Sequence, residues 1–247
     1  SNEVWNGIFK QTRDSEKLGS ELNLATEKWK AGLMYYSKRC SEIFAILDEV
    51  YKEKPKTNYR KVIATQAANI GVTRIVLESY EVYKKTDSLA IAPYLSFNVP
   101  LKKGKWNPLE ASEVENWTPD QLFEYLNQKT LPKSLQNMDE HKELANKYGI
   151  ELIAYEGGQH LTALGEANKN KKLVELLANA NRDPRMGSLY EKYLAHWNKI
   201  GGGLFCLFSE MSPYSVHGSW GLLEYVGQSP ASSPKYMAVK KWAEKLK

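Results

Sequence analysis

Long apolar runs and cysteines are both scarce in this sequence. No apolar stretch approaches the roughly 20 residues that a helix needs to span a bilayer, so no membrane partner is expected. The first six residues, Ser1 to Asn6, have neither the basic start nor the apolar segment of a signal peptide. The two cysteines, Cys40 and Cys206, fall inside apolar periodic segments. This placement favours buried free thiols over a disulfide or a metal site.

Motifs for cofactor, metal and nucleotide chemistry are missing as well. The four histidines show no metal-ligand spacing. No glycine-rich loop precedes a Lys-Ser or Lys-Thr pair, and no Gly-x-Ser-x-Gly elbow occurs. The net charge of +5 comes from scattered lysines rather than from a basic stripe interleaved with aromatic residues. We therefore expect no cofactor, no bound metal and no nucleic-acid partner.

Short apolar runs alternate with longer amphipathic stretches along the chain. The apolar runs predict buried strands at 61–67, 89–95, 151–156 and 204–208. Helical spacing, with start signals such as Thr118-Pro119 and Ser233-Pro234, predicts helices at 24–51, 72–84, 118–148, 171–180, 186–199 and 233–247. Strands that are each followed by a helix are typical of a parallel sheet covered on both faces, so we predict an α/β fold.

The length raises the question of a closed barrel. A parallel (β/α)8 barrel, or TIM barrel, takes about 250 residues, and this chain has 247. Four predicted strands are nevertheless too few to close a barrel. No linker divides the sequence, so we expect residues 1–247 to form a single (β/α) segment. That segment is either the C-terminal half of a larger barrel or an open α/β sheet.

Two short segments carry a resemblance that bears on this choice. They are Asn2-Glu3 near the start and Tyr155-Glu156-Gly157-Gly158 at the end of the third predicted strand. In them the sequence resembles the retaining glycoside hydrolases of the large (β/α)8-barrel superfamily called clan A. The resemblance implies that Asn2-Glu3 closes barrel strand four and that the four predicted strands are strands five to eight. The chain would then be the C-terminal half of a TIM barrel.

The resemblance also implies which residues act on the substrate. Glu3 would be the general acid/base, Glu156 the nucleophile and Asn2 a ligand of the sugar 2-hydroxyl. Glycosidic cleavage needs two such carboxyls, roughly 5–5.5 Å apart for retention and about 6.5–9.5 Å apart for inversion. Two plainer interpretations stay open: Glu3 as an exposed terminal residue, and Glu156 as a strand-end carboxylate paired with a basic neighbour.

Further polar and aromatic residues near the predicted strand ends are candidates for substrate binding. They are Gln66, Asn69, Tyr94, His160, Glu210 and Trp220. The family pattern implies that Tyr94 hydrogen-bonds the nucleophile, although a half-buried aromatic side chain explains it equally well. Gln66 and Asn69 could instead be solvent-facing caps, and a structural role fits His160. Clan A usually has a tryptophan after strand eight. Here Phe208 occupies the predicted strand itself, and Trp220 follows in the loop. Glu210 is the chief rival carboxylate for a catalytic or hydroxyl-binding role.

Three functions remain as hypotheses. The first is retaining cleavage of a polysaccharide, with a carbohydrate substrate and an upstream segment or another chain supplying the N-terminal half-barrel. The second is a non-catalytic carbohydrate-binding barrel, and the third is a structural or interaction protein. The segment is also similar to barrels of bacterial extracellular polysaccharide-acting proteins, which implies a secreted or cell-surface location.

Overall fold

The computed structural model describes residues 3–53, 59–105 and 107–246. The chain forms two compact units. The first unit takes the described residues of Ser1–Pro93, Asn137–Tyr155 and Gly202–Phe205, and the second takes those of Tyr94–Gln136, Glu156–Gly201 and Cys206–Lys247. The single barrel segment that we expect from the sequence stays a prediction.

A parallel sheet forms the core of the first unit. Its strands are β1 (Val62–Ala64), β2 (Ser88–Ile91) and β4 (Glu151–Ala154), in the order β1-β2-β4. Both strand pairs are parallel, and every residue of β2 is buried. The burial of β2, and of all but the first residue of β1 and of β4, is why these segments are apolar runs without polar alternation. The predicted α/β class with parallel strands is therefore confirmed.

The helices of the first unit include one that the sequence pattern did not predict. They are α1 (Lys10–Glu21), α2 (Lys28–Val50) and α3 (Ile70–Glu78), followed at Ser79–Lys85 by 3-10 turns with a kink at Tyr80 and Glu81. The buried positions of α1 are Thr12, Ser15 and Gly19, which are small or polar residues. Hydrophobic periodicity cannot detect such a helix, because its buried face carries no large apolar side chain.

At Gly19, α1 packs so closely against α2 that no side chain fits between them. A Cβ atom added to Gly19 would lie 2.2 Å from the carbonyl oxygen of Ala31 in α2. We expect Gly19→Ala to lower the free energy of unfolding by about 1–3 kcal/mol, despite a gain of up to about 1 kcal/mol in helix propensity. Urea unfolding measures the change. Gly7→Ala is the control, since nothing lies within 4 Å of its added Cβ; equal stability of both variants would contradict the close packing.

A second, two-stranded parallel sheet lies in the second unit. Its strands are β3 (Leu95–Val99) and β5 (Gln159–Ala163), in register from Leu95 opposite Gln159 to Val99 opposite Ala163. The sequence analysis missed both strands and merged Leu95 into the preceding apolar run. Burial alternates along β3, so the strand has only three fully buried residues, and five residues are too few to establish a period of two.

The remaining helices belong mainly to the second unit. They are α4 (Ala111–Val114), α5 (Pro119–Tyr125), α6 (Leu131–Lys147), α7 (Lys171–Ala180), α8 (Pro184–Lys199) and α9 (Pro234–Glu244). A π-helix at Leu126–Thr130 joins α5 to α6, which ends in the first unit. Short 3-10 helices lie at Gly165–Lys169 and Pro230–Ser232. The predicted starts at Thr118-Pro119 and Ser233-Pro234 are confirmed, with a capping box at the first and a Ser233 cap at the second.

The segment 204–208 is where the structure differs most from the predicted strands. Only Phe205 makes a β-bridge there, a parallel one with Ala154. Cys206 is exposed and Cys40 is half-buried, so the prediction that both thiols are buried is wrong for Cys206. The neighbouring Leu204 and Phe208 are also exposed. This segment is apolar in composition but does not become a strand of the core.

None of the helices in residues 3–53, 59–105 and 107–246 is long and apolar enough to cross a membrane.

Candidate functional site

Glu156 stands at a tight turn whose backbone is held on both sides. In the second unit, the carbonyl of Gly157 accepts a hydrogen bond from the Phe208 amide, and the carbonyl of Gly158 accepts one from the Leu95 amide, each at 2.9 Å. Gly158 has φ +130°, a conformation that L side chains rarely adopt. Glycine at this position therefore allows the chain to turn directly after Glu156 and enter β5.

Two buried tyrosines of α8 complete the support of this turn. The Gly158 amide donates to the Tyr193 hydroxyl at 3.3 Å, and the Gln159 amide donates to the Tyr190 hydroxyl at 2.9 Å. Both tyrosines are at most 1% exposed. Burial raises the pKa of each hydroxyl above its ordinary value, so both stay protonated. The turn is thus hydrogen-bonded to fixed neutral groups in the core of the second unit.

The carboxylate of Glu156 is bound by the side chain of Tyr94. The Tyr94 hydroxyl donates to Oε2 of Glu156 at 2.9 Å, and both side chains are half-buried. Tyr94 immediately precedes β3, and Glu156 lies three residues before β5, so the pairing of these two strands brings them together. The bond fixes the orientation of one carboxylate oxygen.

Four aromatic side chains form a connected group that we call the aromatic wall: Tyr94, His160, Phe208 and Trp220. The His160 ring lies 5.5 Å from Tyr94 and 4.7 Å from Trp220, centroid to centroid. Trp220 lies 6.2 Å from Tyr94 and 5.9 Å from Phe208. All four contacts are edge to face, the arrangement that aromatic quadrupoles favour. Phe208 is 44% exposed, so part of the wall faces solvent.

His160 is held in one orientation by polar groups of the two strands. Its Nδ1 lies 2.7 Å from Oδ1 of Asn98, which also accepts a hydrogen bond from the Thr162 hydroxyl at 2.9 Å. With the Asn98 oxygen facing both groups, Nδ1 of His160 carries the ring proton. Burial lowers the pKa of His160, so the ring is neutral at pH 7.

A pocket of about 240 Å³ opens beside Asn98 in the second unit. Its lining combines amides, hydroxyls, lysines and an aromatic ring, and includes Asn98, Asn107, Tyr125, Thr130, Lys129 and Lys133. Amide and hydroxyl groups together with an aromatic ring suit a polar small molecule. Asn98 lines this pocket, and its Oδ1 lies 2.7 Å from Nδ1 of His160, a member of the aromatic wall.

The second candidate carboxylate, Glu3, belongs to the first unit. Its Oε2 accepts a hydrogen bond from Nδ2 of Asn6 at 2.8 Å, and its Oε1 accepts one from the Tyr155 hydroxyl at 3.0 Å. Tyr155 directly follows β4, and its ring packs with Trp5 against a core cluster. The cluster consists of Ala64, Ala90 and Ile153. Glu3 is therefore a half-buried, doubly bonded residue beside the carboxyl end of β4, and not an exposed terminal one.

The other predicted site residues divide between the two units. Asn69 is exposed and caps α3, accepting a hydrogen bond from the Gly71 amide at 3.0 Å. Gln66 is half-buried in the same unit. Glu210 is exposed in the second unit, and Asn2 lies outside the described residues. The structure thus brings together Tyr94, Glu156, His160 and Trp220, while Glu3, Gln66 and Asn69 belong to the first unit.

Several residues of these arrangements escaped the sequence analysis. Asn98 and Thr162 became visible only with the register of β3 and β5, in which they stand opposite each other. Tyr155 had a usable signal, since it stands beside Glu156 in the sequence and contains a hydroxyl. Asn6 had one too, because a short polar side chain three residues after Glu3 can return to it in a turn.

In the part of the chain that the structure describes, no group of three or more His, Cys, Asp or Glu residues is arranged to hold a metal ion.

Comparison with protein-family models, with curated proteins and with solved structures finds no match for this chain. Its function must therefore be argued from the geometry of these side chains and from their chemistry.

Proposed function

We propose that this chain is a glycoside hydrolase that cleaves a polysaccharide with retention, using Glu156 as the nucleophile and Glu3 as the general acid/base. The observation that carries the proposal is the hydrogen bond from Tyr94 to Glu156 beside the aromatic wall. The proposal agrees with the clan A resemblance of the sequence.

The Tyr94–Glu156 pair suits a nucleophile for a geometric reason. In the first step of retaining hydrolysis, a carboxylate oxygen forms a bond to the anomeric carbon as the glycosidic oxygen leaves. A donor hydroxyl on Oε2 orients that carboxylate oxygen before the substrate arrives. The turn at Gly157 and Gly158, pinned by backbone hydrogen bonds, limits movement of the same residue.

The aromatic wall supports a sugar as the substrate class. Sugar rings present flat patches of C–H groups between their hydroxyls, and such patches pack on aromatic rings. Trp220 and Phe208 supply ring surface, and the pocket of about 240 Å³ beside Asn98 contains amide and hydroxyl groups that can form hydrogen bonds. Aromatic surface combined with placed polar groups is common in small-molecule sites.

Glu3 would supply the proton chemistry. In the proposed reaction it donates its proton to the leaving glycosidic oxygen while Glu156 forms the glycosyl ester. It then takes a proton from water, which attacks the anomeric carbon and releases Glu156. Asn6 and Tyr155 hold the Glu3 carboxyl by hydrogen bonds within the first unit.

The partner and location follow from the same proposal. We infer that β1, at the edge of the described three-stranded sheet, continues into a (β/α)8 barrel whose N-terminal half comes from an upstream segment or another chain. A polysaccharide substrate implies secretion or display at the cell surface.

Covalent trapping tests the proposed nucleophile directly. The protein is incubated with a panel of 2-deoxy-2-fluoro glycosides carrying dinitrophenyl leaving groups, which form a long-lived glycosyl ester in retaining enzymes. We expect mass spectrometry to show one added fluorosugar on the peptide that contains Glu156, because that carboxylate attacks the anomeric carbon. Glu156→Gln is the matched control and should show no adduct. An adduct on Glu210, or an inverted product anomer by NMR, would refute the assignment.

A second candidate function, carbohydrate binding without cleavage, is favoured by one observation. Phe208 is 44% exposed beside Trp220, so ring surface for a sugar is present independently of any carboxylate chemistry. Titration with oligosaccharides separates the two functions. Binding by the wild-type protein without turnover, unchanged in Glu156→Gln, would identify a binding module.

A further inference from the structure

A lysine is completely buried in the second unit. Lys235, the second residue of α9, is 0% exposed. Removing an ammonium group from water costs several kcal/mol unless close partners replace the lost hydration. Proteins seldom retain such a group where an apolar side chain would fill the same volume. The contacts of Lys235 therefore indicate what it does.

Three groups surround the Lys235 ammonium. Its Nζ donates to Oδ1 of Asn181 at 2.9 Å and to the backbone carbonyl of Ser219 at 2.7 Å. It also lies 4.5 Å from the centroid of the Tyr214 ring, on the face that attracts cations. Asn181 is itself fixed, because its Nδ2 donates to the Leu177 carbonyl in α7 at 2.9 Å.

The Ser219 carbonyl is the point where this network meets the aromatic wall. It accepts a second hydrogen bond, from Nε2 of Gln159 at 2.7 Å. Gln159 is the residue before His160, and Ser219 is the residue before Trp220. The two rings that follow in the chain, His160 and Trp220, are in contact at 4.7 Å. One carbonyl oxygen thus ties the Trp220 loop to α9 and to the start of β5.

We propose that Lys235 is a positioning residue, which holds the Ser219 carbonyl and thereby keeps the Trp220 ring in the aromatic wall. The positioning follows from contacts within the second unit. Its use in binding a sugar rests on the proposed function.

The choice of lysine has a physical reason. A four-carbon side chain spans the distance from α9 to the loop, and its charged donor strengthens the bond to a carbonyl relative to a neutral one. Methionine has a similar length and volume but no donor. It would leave the Ser219 carbonyl with only the Gln159 bond and let the loop move.

Fluorine NMR of the Trp220 ring tests this role without any sugar. The protein is labelled with 5-fluorotryptophan, and the Trp220 resonance is assigned from its loss in Trp220→Phe. In Lys235→Met we expect that resonance to shift or broaden, while the Trp29 resonance in the first unit keeps its position. Lys241→Met is the matched control, because Lys241 lies on the same helix and pairs with Glu191 at the surface. A folded Lys235→Met protein with an unmoved Trp220 resonance overturns the proposal.

A second measurement applies if Lys235→Met does not fold. Burial lowers the pKa of Lys235 to about 7, with Glu224 opposing this shift and Arg182 adding to it. Wild-type protein with labelled lysine and fluorotryptophan is titrated from about pH 6 to 9. Loss of the Lys235 charge should move the Trp220 resonance with the midpoint measured at Lys235 itself. A Trp220 resonance that stays constant through the Lys235 titration overturns the proposal.

Kinetic measurements on a sugar substrate distinguish a failure of this inference from a failure of the proposed function. Using a substrate that wild type cleaves, Lys235→Met should raise KM about two- to tenfold, as expected for a displaced aromatic contact, with a smaller change in kcat. Wild type that neither binds nor cleaves any sugar would refute the proposed function alone. The NMR experiment would still decide whether Lys235 positions Trp220.

Discussion

Glu156→Gln is expected to lower kcat/KM by at least about a thousandfold while leaving the fold intact. Glutamine has nearly the same shape and can still accept the Tyr94 hydrogen bond, but its neutral amide cannot form the glycosyl ester. Reducing-end assays on the trapped substrate class measure the loss, and circular dichroism checks the fold. Glu210→Gln is the matched control, since Glu210 is an exposed carboxylate of the same unit.

Two companion experiments distinguish a nucleophile from a binding carboxylate. Adding azide to Glu156→Gly should restore turnover of an aryl glycoside and give a glycosyl azide with the opposite anomeric configuration, because azide attacks from the side that Glu156 vacates. For Glu3→Gln we expect a loss of about 10²–10⁴-fold on unactivated substrates. A dinitrophenyl glycoside, whose leaving group needs no proton, should lose far less in the cleavage step. Equal losses on both substrates would contradict the acid role of Glu3.

Trp197→Ala is expected to reduce the free energy of unfolding by about 3–5 kcal/mol. Trp197 is 1% exposed in α8, among the largest fully buried side chains of the described residues. Its removal takes away a large apolar surface and leaves a cavity that close-packed neighbours fill only partly. The same helix carries Tyr190 and Tyr193, whose hydroxyls hold the turn after Glu156. Loosening of α8 should therefore also weaken the candidate site.

The control for this prediction is a tryptophan in a different environment. Trp29, in α2, is 52% exposed, so Trp29→Ala should change stability by no more than about 0.5 kcal/mol. Urea unfolding followed by circular dichroism compares the variants, since the signal does not depend on tryptophan fluorescence. A similar loss of unfolding free energy in both variants would contradict the prediction that the burial of Trp197 stabilises the fold.

Local signals in the sequence account for the elements that were predicted correctly. The strands β1, β2 and β4 are short apolar runs because all of β2, and all but the first residue of β1 and of β4, are buried. Helix starts at Thr118 and Ser233 were predictable because a capping side chain bonds to an amide only a few residues away. The helix α1 was missed because Thr12, Ser15 and Gly19 form its buried face.

The candidate site shows the limit of such local signals. Glu156, Tyr94, His160 and Trp220 were each named from their residue type and position, but their mutual contacts join segments some 60 residues apart. The support from Asn98, Tyr190 and Tyr193 depends on strand register and on which face α8 buries. These contacts produce no periodic pattern in the sequence, because they depend on the packing of segments that are far apart along the chain.

The α/β class, the three parallel strands of the first unit and most helix starts were readable from local sequence patterns, because burial and capping act on neighbouring residues. Only the tertiary structure decided that Tyr94 bonds Glu156, that Cys206 is exposed, and that Lys235 is buried against the Ser219 carbonyl. A lysine two residues into a helix has the sequence signature of a solvated side chain. Its burial depends on Asn181, Ser219 and Tyr214 arriving from other parts of the chain, and folding alone brings them together.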